Sequence, residues 1–392
     1  MKKSQKSPLK LSIALASAVF LASSFQAQAE ASGGTVILEG YIDGGIMVER
    51  TKGGDTKAFV KSGQQDASRI NLIGIEPLSA ETRVMFFLEQ DFDINNGETK
   101  DIVGDRRSSS FNAQSTLSVI NDRYGEFGLG HLYAFNSTPG ATGWTKKMDP
   151  MFTFIEASLF GTSGYTNVSN AGYWISPRFY GWQTGLLFAI NGEAAEESTR
   201  AFSKNNRFWN AALNYEGEKA QAILSLAGTM MGSGDKAKDP FQLRVGGNYQ
   251  LGPVKLYGGY TYHKNNTRLS VPSPEYIGAA MELVHVPNPL NNGKGVDTNA
   301  FNVGFQIPYG TFTFLGQYQY MTGKVKNPLL SRVVFHGEKK VKKNVIALGT
   351  LYHLSKRSHL YGVVAWSDGK KGLKVDKTSN RSILMCGVAH HF

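Results

Sequence analysis

From residue 35 onward the chain repeats one unit: about ten residues that alternate between apolar and polar, a short turn, and a second such run. In the first run Val36, Leu38, Gly40 and Ile42 share one face, and Thr35, Glu39, Tyr41 and Asp43 share the other. One face suits lipid and the other suits water. Seven antiparallel hairpins are predicted to follow, over 69–90, 111–135, 172–191, 208–230, 241–263, 300–322 and 344–367. Their tight turns carry strand breakers, such as Asn121-Asp122 with Gly125, Gly252-Pro253 and Pro308-Tyr309-Gly310. With the opening run and a last one over 381–392, the pattern predicts sixteen strands.

The connections alternate as sharply as the residues. Each short turn is followed by a long polar segment: 51–67, 91–110, 136–171, 192–207, 231–240, 264–299, 323–343 and 368–380. Short turns at one end and long loops at the other characterise transmembrane barrels. In hydrocarbon an unpaired backbone N–H or C=O costs several kcal/mol, so the first and last strands must pair and close the sheet. Sixteen strands enclose a barrel too wide for side chains to fill, and an aqueous lumen follows. The expected fold is therefore an all-β, sixteen-stranded antiparallel transmembrane β-barrel with long extracellular loops. Tyr133, Phe135, Phe208, Trp209, Tyr257, Tyr260, Tyr318, Tyr320 and Trp366 lie near strand ends and are expected to form interfacial girdles.

The N-terminus adds an address. Lys2, Lys3, Lys6 and Lys10 precede an apolar run from Leu11 to Leu21, which gives way to Ala27-Gln28-Ala29. That order is expected of a cleavable signal peptide over residues 1–29, leaving a barrel domain over 30–392. Cleavage would lower the basic count from 42 to 38 against 31 acids, so the precursor's +11 becomes +7. An exported chain without a nucleic-acid module gives that excess no nucleic-acid partner, and it is expected in loops and pore. The single cysteine, Cys386, excludes an intramolecular disulfide.

Several segments resemble the general porins of Gram-negative bacteria, especially the neisserial and burkholderial branch. Thr35-Val36-Ile37-Leu38 leading to Gly40 and Asp43 resembles that family's opening strand. Ser68-Arg69-Ile70-Asn71-Leu72, Glu76, and Arg83 through Asn96-Gly97 resemble its most recognisable segment. Phe111-Asn112 with Gln114, Tyr124-Gly125 through Gly130, and Tyr352 followed by Leu354-Ser355-Lys356-Arg357-Ser358 continue the match in order. The terminal Phe392, preceded by Leu384, Cys386 and Val388 in alternation, resembles the signal read by the outer-membrane assembly machinery.

The resemblance implies an outer-membrane homotrimer, in contact with lipid and lipopolysaccharide, that passes ions and small hydrophilic solutes by passive diffusion without a cofactor. It further implies that loop 136–171 folds into the barrel as a constriction, its acids Asp149 and Glu156 facing basic wall residues. Alternation places Arg69 and Arg83 on the inward face, with Glu39, Asp43 and Glu89 nearby in sequence. Ile73, Phe87, Ala113 and His131 stand where the family often has basic or polar pore groups, which implies a thinner basic ladder.

Other chemistry finds less support. Asp91 to Gly97 begins like a calcium loop, but Asn96 occupies the place of the required glycine and the distal glutamate is missing. His390 and His391 fall on opposite faces of one strand and cannot chelate together. No phosphate loop, zinc-protease helix or nucleophile elbow is present, and no catalytic residue is predicted. The lysine-rich segment 323–343 reads as a solvated surface, or else as a contact for lipopolysaccharide phosphates or a steering patch for anions. A substrate-selective channel and an adhesin or receptor barrel remain as alternatives to general diffusion.

Overall fold

A computed structural model describes residues 33–99, 110–137, 143–151, 154, 167–190, 205–233, 238–266, 293–374, 376 and 379–392. The signal segment 1–29, Glu156 and most of loop 264–299 lie outside the described residues. Strands β1 (Thr35–Thr51), β2 (Thr56–Ser62), β3 (Arg69–Pro77), β4 (Thr82–Asp91), β5 (Gln114–Asn121), β6 (Gly125–Tyr133), β7 (Asn167–Ile175) and β8 (Trp182–Ala189) form the first half. The second half comprises β9 (Arg207–Glu216), β10 (Ala220–Met230), β11 (Phe241–Leu251), β12 (Val254–Asn266), β13 (Val296–Tyr309), β14 (Phe312–Val325), β15 (Lys340–His353), β16 (Ser358–Lys371) and β17 (Arg381–His391).

All seventeen belong to one antiparallel sheet, yet the wall has sixteen positions. Thr35–Tyr41 of β1 pairs with β3, while Gly44–Arg50 pairs with β2, so β2 and β3 are two halves of one wall strand. The break between them, 63–68, begins at Gly63, whose φ of 65° is the left-handed conformation that glycine adopts at no steric cost. Tyr41–Thr51 of β1 also pairs with β17 and closes the ring. The last residue completes the seam: Phe392 N donates to Gly40 O at 3.1 Å, and Gly40 N donates to Phe392 O at 3.2 Å. The described strands leave no open sheet edge for hydrocarbon to penalise.

Alternation then sorts the residues. Leu38, Ile46, Leu129, Val303 and Leu348 are exposed on the outer face, where lipid covers them. Asp43, Glu49, Asn210, Asn302 and Gln319 are buried on the inner face.

Three expectations are corrected. Segment 51–67 is not a long loop: β1 extends to Thr51 and β2 returns after four residues. The lysines disguised that strand, but Lys57, Phe59 and Lys61 face the lumen opposite Glu49, Met47 and Gly45; Lys57 is exposed there, and Lys61 is buried with its Nζ against Met47 Sδ. Segment 323–343 is likewise shorter, because Lys324 ends in β14 and Lys340, Lys342 and Lys343 begin β15. Between them stands one short helix, α1 (Pro328–Val333), capped by Asn327, whose side chain accepts from Leu329 N and Leu330 N. Among the aromatics, Trp209, Tyr260, Tyr318, Tyr320 and Trp366 face outward. Parity turns Phe208 and Tyr257 inward beside Asn210 and Gly259, and Tyr133 and Phe135 are buried inside.

Candidate constriction of the pore

Segment 143–151 lies inside the barrel against a track of wall glycines. A Cβ at Gly185 would come within 2.8 Å of Phe135, one at Gly246 within 2.9 Å of Met148, one at Gly304 within 2.6 Å of Pro150, and one at Gly349 within 3.2 Å of Met151. The missing side chains are what let the segment approach the wall. Trp144–Met148 forms a 3-10 turn whose Trp144 is fully buried and stacked on Phe135, with ring centroids 4.9 Å apart.

Wall amides hold the segment's backbone. Asn248 Nδ2 donates to Lys147 O at 3.0 Å, Asn302 Nδ2 donates to Met148 O, and Thr145 Oγ1 donates to Ser137 O at 2.6 Å. Lys147 Nζ pairs with Glu216 at 2.7 Å, and Arg178 reaches the same carboxylate at 2.9 Å. Burial holds the Lys147 ammonium below its ordinary value, against the opposing pull of Glu216. Farther along, Phe154 meets Tyr361 edge-on at 5.3 Å.

The opposite side of the lumen is built around the break at 63–68. Asp43 accepts from Tyr361 OH at 2.7 Å and from the backbone N–H groups of Gln65 and Asp66. Arg69 pairs with Asp66 at 3.0 Å, approaches Glu89 at 3.6 Å and lies over the Tyr41 ring at 5.4 Å. Asn71 Nδ2 donates to Glu39 at 3.3 Å in the same neighbourhood.

Lys146, from the inserted segment, faces this group. Burial lowers its ammonium from the ordinary value; Asp66 and Glu89 raise it, and Arg69 adds to the lowering. A 3-10 turn advances three residues per revolution, so adjacent lysines point apart: Lys147 goes to Glu216 on one side and Lys146 to Asp66 on the other.

The structure thus brings together Arg69, Glu89, Asp43 and Glu39, and separates two other expected groups. Arg83 sits at the short-turn end, paired with Asp122 at 2.9 Å and six positions along β4 from Glu89. Asp149 is on the inserted segment but is buried there, accepting from Gln319 Nε2 at 2.8 Å and from Met151 N at 2.7 Å. The wall group that meets it is the Gln319 amide. Asp66 and Lys146 carry no mark in the sequence, since 63–68 reads as part of a loop and the resemblance implies only acids on loop 136–171.

The apolar substitutions are visible on the wall. Ile73 and Phe87 pack with Met85 and Ile120 as one inward cluster, Ala113 is buried, and His131 Nδ1 meets Ser169 Oγ at 2.9 Å. Asp93, in the segment that begins like a calcium loop, caps its own turn by accepting from Asn95 N at 2.9 Å. His391 lies tilted against the Tyr41 ring with centroids 4.4 Å apart, while His390 contacts Ser358 on the other face.

Comparison with known proteins agrees with this architecture. An outer membrane porin protein of Bordetella pertussis is 25% identical over 96% of this chain and 99% of its own. Outer membrane porin protein 32 of Delftia acidovorans is 23% identical, covering 89% of this chain and 88% of its own. An anion-selective porin from Comamonas acidovorans superposes with a TM-score of 0.65 at 20% identity, over 92% of this chain and all of that one. The trimer form of OmpT of Vibrio cholerae gives 0.58 at 12% identity, over 92% and 100%. These structural likenesses speak for the fold. The family description "Gram-negative porin" matches residues 14–372, and with the sealed sixteen-position wall and the segment crossing its lumen, the chain belongs to the Gram-negative porin family.

Proposed function

We propose that this outer-membrane channel for passive diffusion sorts its solutes between Lys146 on the inserted segment and the Arg69, Asp66 and Glu89 group on the wall. The observation that carries the reading is the anchoring of segment 143–151 across the lumen by Asn248, Asn302 and Lys147–Glu216. A permeating ion passes between charges of both signs set on opposing surfaces, where the low-dielectric wall strengthens their field. The relatives are channels rather than enzymes.

Glu39 and Asp43 act as lumen acids beside that group, and Arg83 acts nearer the short-turn mouth. Asp149 acts by holding the segment in place, and Glu156 adds charge to the same loop. Residues 1–29 direct export and are removed. Phe392, at the seam with Gly40, serves the assembly machinery; the mature barrel is a homotrimer that meets lipid and lipopolysaccharide on its outer face and loops. The trimeric Vibrio cholerae protein of the same fold supports that assembly.

Reversal potentials in a salt gradient across planar bilayers test the reading. Lys146→Glu is expected to move the reversal potential toward cation preference, with stepwise conductance retained. A potential unchanged from wild type would remove Lys146 from the selective region.

A further inference from the structure

Among the described residues, one fully buried lumen arginine reaches no carboxylate. Among the described arginines, Arg69, Arg83, Arg178 and Arg381 each reach a carboxylate. Arg244, on the inward face of β11, is 2% exposed, and its Nε and Nη1 are sealed from solvent without a hydrogen-bond partner. A guanidinium does not give up its proton inside a protein, so burial cannot be relieved by neutralisation. Taking a cation out of water without a partner costs far more than a hydrogen bond returns.

Two hydroxyls flank Arg244 on the adjacent strands, and His263 lies within electrostatic range of it. Its register partner on β12 is Thr261, fully buried, with an Oγ1 that also lacks a partner. Its register partner on β10 is Ser225, whose Oγ accepts from Asn210 Nδ2 at 2.9 Å and thereby keeps its own O–H to give. Two positions along the same strands toward the short turns, Gly246 and Gly259 receive Met148 of the inserted segment. Arg244 therefore lies on the long-loop side of the constriction, on the wall that anchors it rather than the wall that carries Arg69.

We propose that Arg244, Thr261 and Ser225 form a binding site for a small oxyanion, inorganic or the carboxylate of a permeating solute. Because Nε and Nη1 are sealed as the side chain lies, the guanidinium must turn toward the lumen to bind; two N–H groups of its fork then match two coplanar oxygens, and the hydroxyls of Thr261 and Ser225 supply donors from the adjacent strands. Such a site would capture anions entering from the long-loop side before they meet the mixed charges of the constriction. The inference rests on an open lumen only for delivery of the ion; loss of stepwise conductance would overturn the channel reading, whereas loss of oxyanion binding overturns this one.

The test is calorimetric titration of inorganic phosphate into the folded full-length barrel in detergent at constant ionic strength, with acetate as competitor. Saturable binding to one site per chain is expected, with the dissociation constant raised at least tenfold in Arg244→Gln and by a smaller factor in Thr261→Val. Competition by acetate would assign carboxylate solutes to the site; its absence would restrict the site to inorganic oxyanions. No saturable phosphate binding by the wild-type barrel, or equal affinity in Arg244→Gln, overturns the proposal. Should Arg244→Gln fail to reach the heat-resistant folded form on gels, Thr261→Val decides, and unchanged affinity there overturns it equally.

Discussion

If segment 143–151 lies on the wall as described, it can be stapled there without altering the pore. A Cβ built on Gly259 falls 3.3 Å from the Cβ of Met148, close to the roughly 3.5–4.5 Å spanned by disulfide Cβ pairs. Replacing Met148 by cysteine also removes the Cε that would lie 2.7 Å from the new side chain, although the Asn302 amide must turn aside. The pair Met148→Cys and Gly259→Cys, made in a Cys386→Ser background, should therefore oxidise with a shift of a few tenths of an ångström. Cys386 faces outward, so its removal leaves the lumen untouched. The link would enclose on the order of 100 residues, worth roughly 4–5 kcal/mol of unfolded-state entropy by the chain-closure relation. The assay is maleimide labelling of the oxidised, folded barrel, followed by single-channel recording before and after reductant. Loss of both thiols with the same conductance step in either state is expected. Persistent free thiols, or a conductance that changes on reduction, would refute the placement of the segment.

Three further outcomes follow from the same geometry. Trp144→Ala removes a fully buried side chain, a loss of about 3–5 kcal/mol, but the Asn248, Asn302 and Glu216 contacts remain; brief upward excursions in single-channel current are expected, and quiet traces like those of wild type would count against it. Arg381→Met leaves Glu49 buried without its 3.1 Å partner at the β1–β17 seam; about 3–5 kcal/mol of destabilisation should lower the temperature at which the barrel loses its folded gel mobility, and Glu49→Gln in the same chain should restore most of it. Because burial places the folded Lys146 ammonium below the ordinary 10.5, folding favours its neutral form, so its contribution to stability grows as pH rises from that lowered value toward 10.5. In the same window the channel should shift toward cation preference, a shift absent from Lys146→Met; reversal potentials measured against pH check both.

How much of this was legible in the sequence depended on which solvent enforced the pattern. Lipid forbids polar side chains on one face, so Leu38, Ile42 and Ile46 announce β1 without ambiguity. Water in a wide lumen forbids little, and β2 escaped notice because Lys57 and Lys61 are as acceptable inside a pore as in a loop. The aromatics teach the same point. Nearness to a strand end did not decide which ring reaches the membrane interface; parity did, so adjacent Phe208 and Trp209 point to opposite sides. Strand count survived these errors, since β2 and β3 share one wall position and the number of turns was read correctly.

The constriction was harder to read because anchoring consumes charge. The family resemblance directed attention to Asp149 as a field-forming acid, but a loop that crosses a lumen must first satisfy its own backbone, and Asp149 accepts from Met151 N and Gln319 in doing so. Lys147 is consumed in the same way by Glu216. Lys146 alone among these three is turned toward the far wall, where Asp66 and Glu89 already flank Arg69. Between these described surfaces the loop contributes positive charge, and the wall contributes both signs. No spacing rule separates Lys146 from Lys147, because their difference arises from the threefold geometry of the turn and from which wall strand lies beneath it. The glycines at 185, 246, 259, 304 and 349 carry the missing information: each is an inward wall position without a side chain, and together they mark the path along which the loop is laid.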